Sequence, residues 1–257
     1  MRELRVDAFS KLTLSLHITG TRADGFHELD ATMVSIDEPH DSLIIRPAER
    51  TSLTITGPFA QGVPADASNL AWQAADACGA TAEIALHKGI PAGAGLGGGS
   101  ADAAAVLTAL GADPAIAVSL GADVPFCMRG GFARVRGVGG DLDRSEPPAL
   151  AIVVATPRFG CSTAAVYRAW DELGGTHHEV NDLQAAAEHV EPRLVDFKRR
   201  VEAAADAPAI LAGSGSSYAV VFGSVVDAQR ARTQVAAAIS GSVWLASTVP
   251  AGVVLDP

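Results

Sequence analysis

Apolar and polar residues alternate along much of the first half of the chain, and this period of two is typical of strands that bury one face. The clearest run has its apolar positions at Leu12, Leu14, Leu16 and Ile18. Further strands are predicted over 30–36, 42–46, 51–56, 82–87 and 130–137. The first half is therefore expected to be rich in sheet.

Helical spacing interrupts these strands at two places. Residues 69–78 are predicted to form a helix with Ser68 as its N-cap. A second helix is predicted to begin in a glycine-rich loop near residue 98 and to end near Gly111. Its apolar positions are Ala103, Val106, Leu107 and Leu110.

The second half alternates strands with helices. Strands are predicted over 150–155, 209–212, 218–222 and 243–248, and helices over 163–173, 181–190, 192–205 and 226–239. This order indicates an α+β sandwich. The polar segment SEPP interrupts the pattern, so we predict one domain over 1–148 and a second over 149–257.

Composition and charge narrow the classes of function. The chain is 48% hydrophobic and 19% charged, which is typical of a soluble globular protein. Its net charge of -10 argues against general nucleic-acid binding, and no apolar run is long enough for a membrane span. Three widely spaced cysteines indicate buried thiols rather than a metal site. We expect a cytoplasmic protein without a nucleic-acid or membrane partner, and the sequence does not indicate its oligomeric state.

Residues 88–110, KGIPAGAGLGGGSADAAAVLTAL, are the strongest candidate for an anion site. Gly93, Gly95 and Gly98 fit the G-x-G-x-x-G spacing of dinucleotide-binding folds, but Asp113, the candidate ribose ligand, lies in a turn. The segment also approaches a P-loop, in which Gly99 replaces the lysine. Both alternatives share glycines that allow close approach of an anion to a helix N-terminus. A tight turn without a ligand is the remaining alternative.

Two more glycine clusters follow, RGGFARVRGVGG over 129–140 and AGSGSS over 212–217. Either cluster alone is more typical of a tight turn than of a binding site.

Four segments, taken in chain order, nevertheless resemble the GHMP kinase superfamily. They are FSKLTLSLHITGTRADGFHEL (9–29), KGIPAGAGLGGGSADAAA (88–105), LGADVPFCMRGG (120–131) and AGSGSS (212–217).

Within that superfamily the segments most resemble the kinases that phosphorylate the 2-hydroxyl of 4-diphosphocytidyl-2-C-methyl-D-erythritol, in the non-mevalonate route to isoprenoids. The resemblance implies an α+β GHMP kinase two-domain fold. Its N-terminal domain would be like domain 2 of ribosomal protein S5 and its C-terminal domain ferredoxin-like. It also implies ATP and Mg²⁺ as cofactors and a small-molecule substrate, and no residue is assigned to the metal.

The resemblance gives roles to residues that are ambiguous by themselves. Lys11 alone would be a solvated strand lysine and Asp123 a turn-capping residue, but the family places a catalytic lysine and a catalytic base there. The positions implied for ATP are Asn69, Lys88, Pro91, Gly93, Ala94, Gly95, Leu96, Gly97, Gly98, Gly99 and Ser100. From the residues alone, Asn69 is equally well a helix N-cap and Lys88 a charge at a strand end.

The positions implied for the alcohol substrate are Thr13, Phe26, His27, Tyr167, Gly213, Ser214 and Gly215. Of these, His27 is expected to hydrogen-bond the cytosine, with Phe26 and Tyr167 stacking on it. Three features depart from the family pattern: Thr13 in place of asparagine, Ala101 in place of a second serine, and a short segment over 111–119. Two alternatives stay open, another GHMP small-alcohol kinase of the homoserine or mevalonate type, and an inactive nucleotide-binding relative.

Overall fold

The computed structural model describes residues 3–175, 177–178 and 180–256. The strands are β1 (Leu4–Thr21), β2 (His27–Pro47), β3 (Ser52–Thr56), β4 (Ala82–His87), β5 (Phe132–Gly137), β6 (Asp141–Ser145), β7 (Ala151–Pro157), β8 (Ile210–Leu211), β9 (Tyr218–Phe222), β10 (Gly241–Ser247) and β11 (Val253–Asp256). The helices are α1 (Leu70–Ala77), α2 (Gly98–Ala109), α3 (Ala115–Leu120), α4 (Val124–Arg129), α5 (Thr163–Glu172), α6 (Gln184–Val190), α7 (Arg193–Ala205) and α8 (Val225–Ala238).

The long antiparallel pair β1 and β2 is the centre of the N-terminal sheet, whose strand order is β11-β1-β2-β4-β3, with β5 on β2 and β6 on β5. The prediction of two separate strands over 30–36 and 42–46 was wrong, because one strand runs through both. Its register shifts so that Phe9 opposes His40 while Ser10 opposes Ile36. The polar residues between them form a bulge, which a periodicity of two cannot accommodate.

Helix α2 is buried against this sheet and carries the end of the glycine loop. Alanines at 101 and 103–105 are fully buried, and their small side chains let the helix approach β1 and β2 closely. Leu107 is also fully buried, which stabilises the fold by about 1.5–3 kcal/mol. The packing of α2 therefore fixes where the glycine loop lies.

The second sheet is antiparallel, in the order β10-β7-β9-β8, and buries its own apolar cluster with the C-terminal helices. This arrangement confirms the predicted α+β class. Strand β11 returns to the first sheet and pairs with β1, so the last strand of the chain lies beside the first. The short elements α4, β6 and β11 were not predicted, because their few residues show neither a clear alternation nor a clear helical spacing, unlike the equally short strands β3, β4 and β9.

Two smaller expectations are settled by local geometry. The N-cap of α1 is Asn69, whose side chain accepts from the N–H of Ala71, and not Ser68, whose hydroxyl donates to Asp66 instead. The segment over 111–119 holds only the short helix α3, as its length predicts.

The cysteines and the helix lengths bear on two further expectations from the sequence. Cys127 and Cys161 are buried and Cys78 is half-buried. No helix in the described part of the chain is long and apolar enough to cross a membrane.

Candidate active site

Residues from the first sheet, the glycine loop, α5 and the loop between β8 and β9 line a cleft of about 520 Å³. The sequence-predicted residues that line it are Lys11, Asn69, Lys88, Pro91, Gly93, Ala94, Gly95, Leu96, Gly97, Gly98, Gly99, Ser100, Asp123, Tyr167, Gly213 and Ser214. Four predicted residues are not part of this lining, namely Thr13, Phe26, His27 and Gly215. The fold thus brings together most of the residues that the sequence singled out.

Lys11 and Asp123 form an ion pair on the wall of the cleft. The Lys11 ammonium lies 3.2 Å from Oδ2 of Asp123 and donates to the hydroxyl of Thr13, also at 3.2 Å. Lys11 is buried on β1, whereas Asp123 is partly exposed at the N-terminus of α4. Thr13 is buried beside the lysine, so its contact in this structure is with the ammonium. The arrangement offers a fixed positive charge next to an accessible carboxylate.

The glycine loop is shaped by backbone conformations that only glycine adopts easily. Gly93, Gly95 and Gly97 have φ of 70°, 82° and 73°. A Cβ on Gly95 would lie 1.9 Å from the carbonyl oxygen of Ala212, and one on Gly97 would lie 2.7 Å from Cγ of Lys11. Helix α2 then begins with Gly97 as its N-cap, which has no side chain to cap the first N–H groups. Free N–H groups at the N-terminus of a helix, together with the helix dipole, are chemically suited to an anion.

The second glycine cluster packs directly onto the first. The N–H of Ser217 donates to the carbonyl of Ala94 at 3.0 Å, and the Ser216 hydroxyl donates to the carbonyl of Gly93 at 3.3 Å. A Cβ on Gly213 would lie 3.2 Å from the Lys11 ammonium, so the cluster borders the ion pair. The two loops therefore form one continuous wall.

Asn181 holds the second cluster in place and was missed by the sequence analysis. Its side-chain amide donates to the carbonyls of Leu211 and Gly213, at 3.0 and 2.7 Å, and its Oδ1 accepts from the N–H of Leu183. The same segment bridges to Leu16 on β1. Only the tertiary fold brings these groups together, so no spacing in the sequence indicates this role.

Elsewhere in the cleft lining, the polar groups of Asn69 and Lys88 are already engaged within the protein. Nδ2 of Asn69 donates to the carbonyl of Pro64, while its Oδ1 caps α1. The Lys88 ammonium is buried between Asp41 and Asp102. Both residues border the cleft, and their side chains hold neighbouring segments of its wall in place.

An aromatic and imidazole cluster lies on the side of α5. The rings of His27 and Tyr167 are 5.0 Å apart and tilted by 30°, and the Trp170 ring meets His27 edge-on at 5.5 Å. His27 Nε2 is 2.8 Å from Oδ1 of Asp171. Burial, and secondarily the Asp123 carboxylate, raises the pKa of the Tyr167 phenol, so it stays neutral. Phe26, at 64% exposure, lies outside this cluster on the turn before β2.

Trp170 and Asp171 were also missed, although a signal existed. They follow Tyr167 by three and four residues on α5, the spacing at which helical side chains share a face. Once Tyr167 is expected to lie beside His27, the helical spacing predicts that Trp170 and Asp171 also face His27.

Comparisons with known proteins show the family and the fold of this chain. The family model described as GHMP kinases N terminal domain matches residues 69–131. The chain is 38% identical to the 4-diphosphocytidyl-2-C-methyl-D-erythritol kinase of Paracoccus denitrificans, over 95% of this chain and 96% of that protein.

Two solved structures match over nearly the full length. A crystal structure of a 4-(cytidine 5′-diphospho)-2C-methyl-D-erythritol kinase aligns with a TM-score of 0.76 and 32% identity, over 95% of this chain and 98% of that one. A homoserine kinase from Cytophaga hutchinsonii aligns with a TM-score of 0.70 over 100% of this chain and 98% of that one. Its identity of 19% shows a shared fold.

Proposed function

The chain belongs to the 4-diphosphocytidyl-2-C-methyl-D-erythritol kinase family of the GHMP kinases, and we propose that its cleft carries out that reaction with the residues described above. The γ-phosphoryl group of ATP is transferred to the 2-hydroxyl of 4-diphosphocytidyl-2-C-methyl-D-erythritol. The observation that carries the residue assignment is the Lys11–Asp123 ion pair beside the open N-terminus of α2.

The glycine loop is proposed to hold the triphosphate. The first backbone N–H groups of α2 have no acceptor within the helix and are available to an anion, and the glycines of the loop would leave no side chain between the backbone and the phosphates. Membership of this kinase family implies that ATP is the phosphoryl donor. Its adenosine end is proposed to lie toward Asn69, whose amide shapes that end of the cleft through Pro64.

Lys11 and Asp123 are proposed to act on the reacting groups. Asp123 accepts the proton of the 2-hydroxyl as the hydroxyl oxygen bonds to the γ-phosphorus. The bond from that phosphorus to the bridging oxygen breaks, and ADP departs with the bonding electrons. The fixed Lys11 ammonium stabilises the negative charge on the transferring group. The carboxylate is partly exposed, which supports its contact with a substrate hydroxyl.

Magnesium is proposed to accompany ATP. It takes oxygen ligands and commonly keeps several waters. The described residues form no group of three or more carboxylate, histidine or cysteine side chains that could hold a metal ion. The ion would therefore be held mainly by phosphate oxygens and water, with the Asp123 carboxylate as an oxygen donor on the cleft wall. When bound, it would offset phosphate charge.

The cytidyl end of the substrate is proposed to lie against His27 and Tyr167. The imidazole can hydrogen-bond a base edge, and a neutral phenol ring can stack on a base face. Phe26, exposed beside His27 in the chain, is proposed to cover the opposite face of the base. A kinase for homoserine or mevalonate, whose substrates carry no base, would not need this set of aromatic and imidazole side chains.

The assignment is tested by measuring ADP release from Mg-ATP with the cytidyl substrate, homoserine or mevalonate. We expect turnover with the cytidyl substrate alone and its loss in Asp123→Ala. Asp76→Ala is the matched control, since Asp76 is exposed on α1 and lies outside the cleft lining. Turnover only with homoserine or mevalonate would contradict the proposal. So would ATP binding without turnover of any of the three alcohols.

A further inference from the structure

Three ionisable side chains meet in the protein interior beneath the glycine loop. Asp41 on β2, Lys88 after β4 and Asp102 on α2 are each buried to 3% exposure or less. The Lys88 ammonium contacts Oδ2 of Asp41 and lies 2.7 Å from Oδ2 of Asp102. This group joins the strand before the loop to the helix after it.

The two carboxyl groups have very different surroundings. Besides the ammonium, Asp41 accepts from the N–H groups of Gly89 and Ile90 through its Oδ1, at 2.7 and 2.9 Å. Oδ1 of Asp102 is buried and has no hydrogen-bond partner among the described residues. Three donors stabilise an ionised Asp41, whereas Asp102 has a single donor.

The net charge of the cluster also indicates that only one of its two carboxyl groups is ionised. One ammonium balances one carboxylate, so a second carboxylate would leave an uncompensated negative charge in the interior. That charge would also lie beneath the loop proposed to hold the triphosphate. A Cβ on Gly98, the first residue of α2, would lie only 3.2 Å from the Lys88 ammonium.

We propose that Asp41, Lys88 and Asp102 form an electroneutral positioning cluster for the glycine loop, in which Asp41 is ionised and Asp102 holds its proton. The ionised Asp41 fixes the turn at Gly89 and Ile90 through their N–H groups, and the turn leads directly into the glycine loop. Lys88 ties that turn to α2. The consequence for ATP binding rests on the proposed function, whereas the protonation state does not.

The titratable groups around Asp102 come from each neighbouring element. Asp41 on β2 and Lys88 after β4 act on it directly, and the Cys127 thiol of α4 also interacts with it. Helix α1 packs against α2 through buried alanines. Burial raises the pKa of Asp102 well above its usual range, because the opposing attraction of Lys88 is the smaller effect.

A substitution that removes the titration tests this assignment. Because the folded-state pKa of Asp102 lies above its unfolded value, folding takes up a proton, and this group's contribution to stability is lost as pH rises through the folded-state pKa. Asp102→Asn cannot titrate. We expect its Tm difference from wild type to become more positive between about pH 5 and about pH 8.

Asp76→Asn, on the exposed face of α1, is the matched control, and its Tm difference is expected to stay constant. A difference for Asp102→Asn that is flat, or that becomes more negative with rising pH, would overturn the proposal. Infrared spectroscopy near neutral pH supplies an independent readout. The wild type should show the stretch of a protonated carboxyl group, and its absence would overturn the proposal even if the variant did not fold.

Mg-ATP titration tests the positioning role. Asp41→Asn removes the charge that holds the Gly89 turn, so we expect the Kd for Mg-ATP to rise about tenfold or more. The rise should be several times larger than that caused by Asp102→Asn. Equal losses in the two variants would overturn the assignment. The unfolding and infrared measurements need no substrate, so their failure is distinguishable from a failure of the kinase assay.

Discussion

The Lys11 ammonium on β1 lies 3.2 Å from Oδ2 of Asp123 at the start of α4, and the same ammonium donates to Thr13. The lysine is buried and its two partners fix its direction. Its charge is therefore held in place before a substrate arrives, which is the condition for efficient stabilisation of developing charge.

Replacement of Lys11 by methionine is expected to lower kcat by about two to three orders of magnitude, with a smaller change in the KM for ATP. Methionine has a similar length but carries no charge. Steady-state kinetics with the cytidyl substrate checks this. Lys198→Met, at a half-buried lysine on α7 that pairs with Glu202 and lies outside the cleft lining, is the control and should retain wild-type kinetics. A kcat within a few-fold of wild type would show that Lys11 is structural.

A comparison of two glycines separates steric demand from backbone strain. Gly95 and Gly111 both have positive φ, of 82° and 67°. A Cβ on Gly95 would collide with the Ala212 carbonyl, whereas a Cβ on Gly111 would meet nothing within 4 Å. We expect Gly111→Ala to cost about 1–2 kcal/mol of unfolding free energy. Gly95→Ala should cost more and should also abolish Mg-ATP binding.

Chemical denaturation and ATP titration of both variants check this expectation. Equal losses of stability with intact ATP binding in Gly95→Ala would show that the two glycine loops need not touch. A large loss in Gly111→Ala would indicate that strain alone explains the effect.

The sequence identified the residues that carry motifs and missed those that only the fold brings together. The family, the α+β class and the reaction were predicted correctly from the glycine loop and the segments around Lys11 and Asp123. Asp41 lies in an ordinary stretch of strand, and nothing nearby indicates that it accepts from Gly89 and Ile90. Long-range hydrogen bonds leave no local pattern in a sequence.

Lys88 illustrates the same limit from the other direction. The family resemblance implied that Lys88 lines the ATP site, and the structure shows its ammonium engaged by two carboxyl groups. The charge of a side chain can be read from the sequence, but its partner cannot. The roles of the individual cleft residues toward ATP and substrate stay predictions.

Asn181 is expected to control the second glycine cluster. Asn181→Ala leaves the carbonyls of Leu211 and Gly213 without their donor, at a cost of about 1–3 kcal/mol. Asn181→Asp should cost more, because a carboxylate would then face two carbonyl oxygens. Urea unfolding gives the energies, and hydrogen exchange over 211–217 should show faster exchange in both variants.

Gln229→Ala is the control for these substitutions, since Gln229 is exposed on α8 and far from the cleft lining. An Asn181→Asp variant as stable as wild type would contradict the donor role of the amide.

The cluster on α5 predicts a selective loss of substrate affinity. Tyr167→Leu removes the ring beside His27, and loss of one stacked base costs about 1–3 kcal/mol. We expect the KM for the cytidyl substrate to rise accordingly while the KM for ATP changes little. Tyr167→Phe keeps the ring and serves as the control. Equal increases in both KM values would indicate general damage to the cleft.

Asp182 predicts a distinct dependence of stability on acid pH. Its burial alone would raise its pKa, but the N–H groups of His178 and Ile18 and the imidazoles of His177 and His17 together lower it. A carboxylate whose folded-state pKa is depressed contributes stability above its unfolded pKa of about 4, and that contribution is lost as pH falls through the folded-state value.

Asp182→Asn should therefore lower Tm near neutral pH, and its deficit relative to wild type should shrink as pH falls below about 4. The remaining neutral hydrogen bonds of the amide do not titrate, which is why the wild type alone loses stability there. Thermal unfolding from about pH 7 to about pH 3 checks this, with Asp76→Asn as the exposed control. A Tm deficit of Asp182→Asn that is independent of pH would contradict this prediction. It would mean that Asp182 stabilises the contact between β1 and the segment before α6 through shape and packing, and that its charge adds nothing.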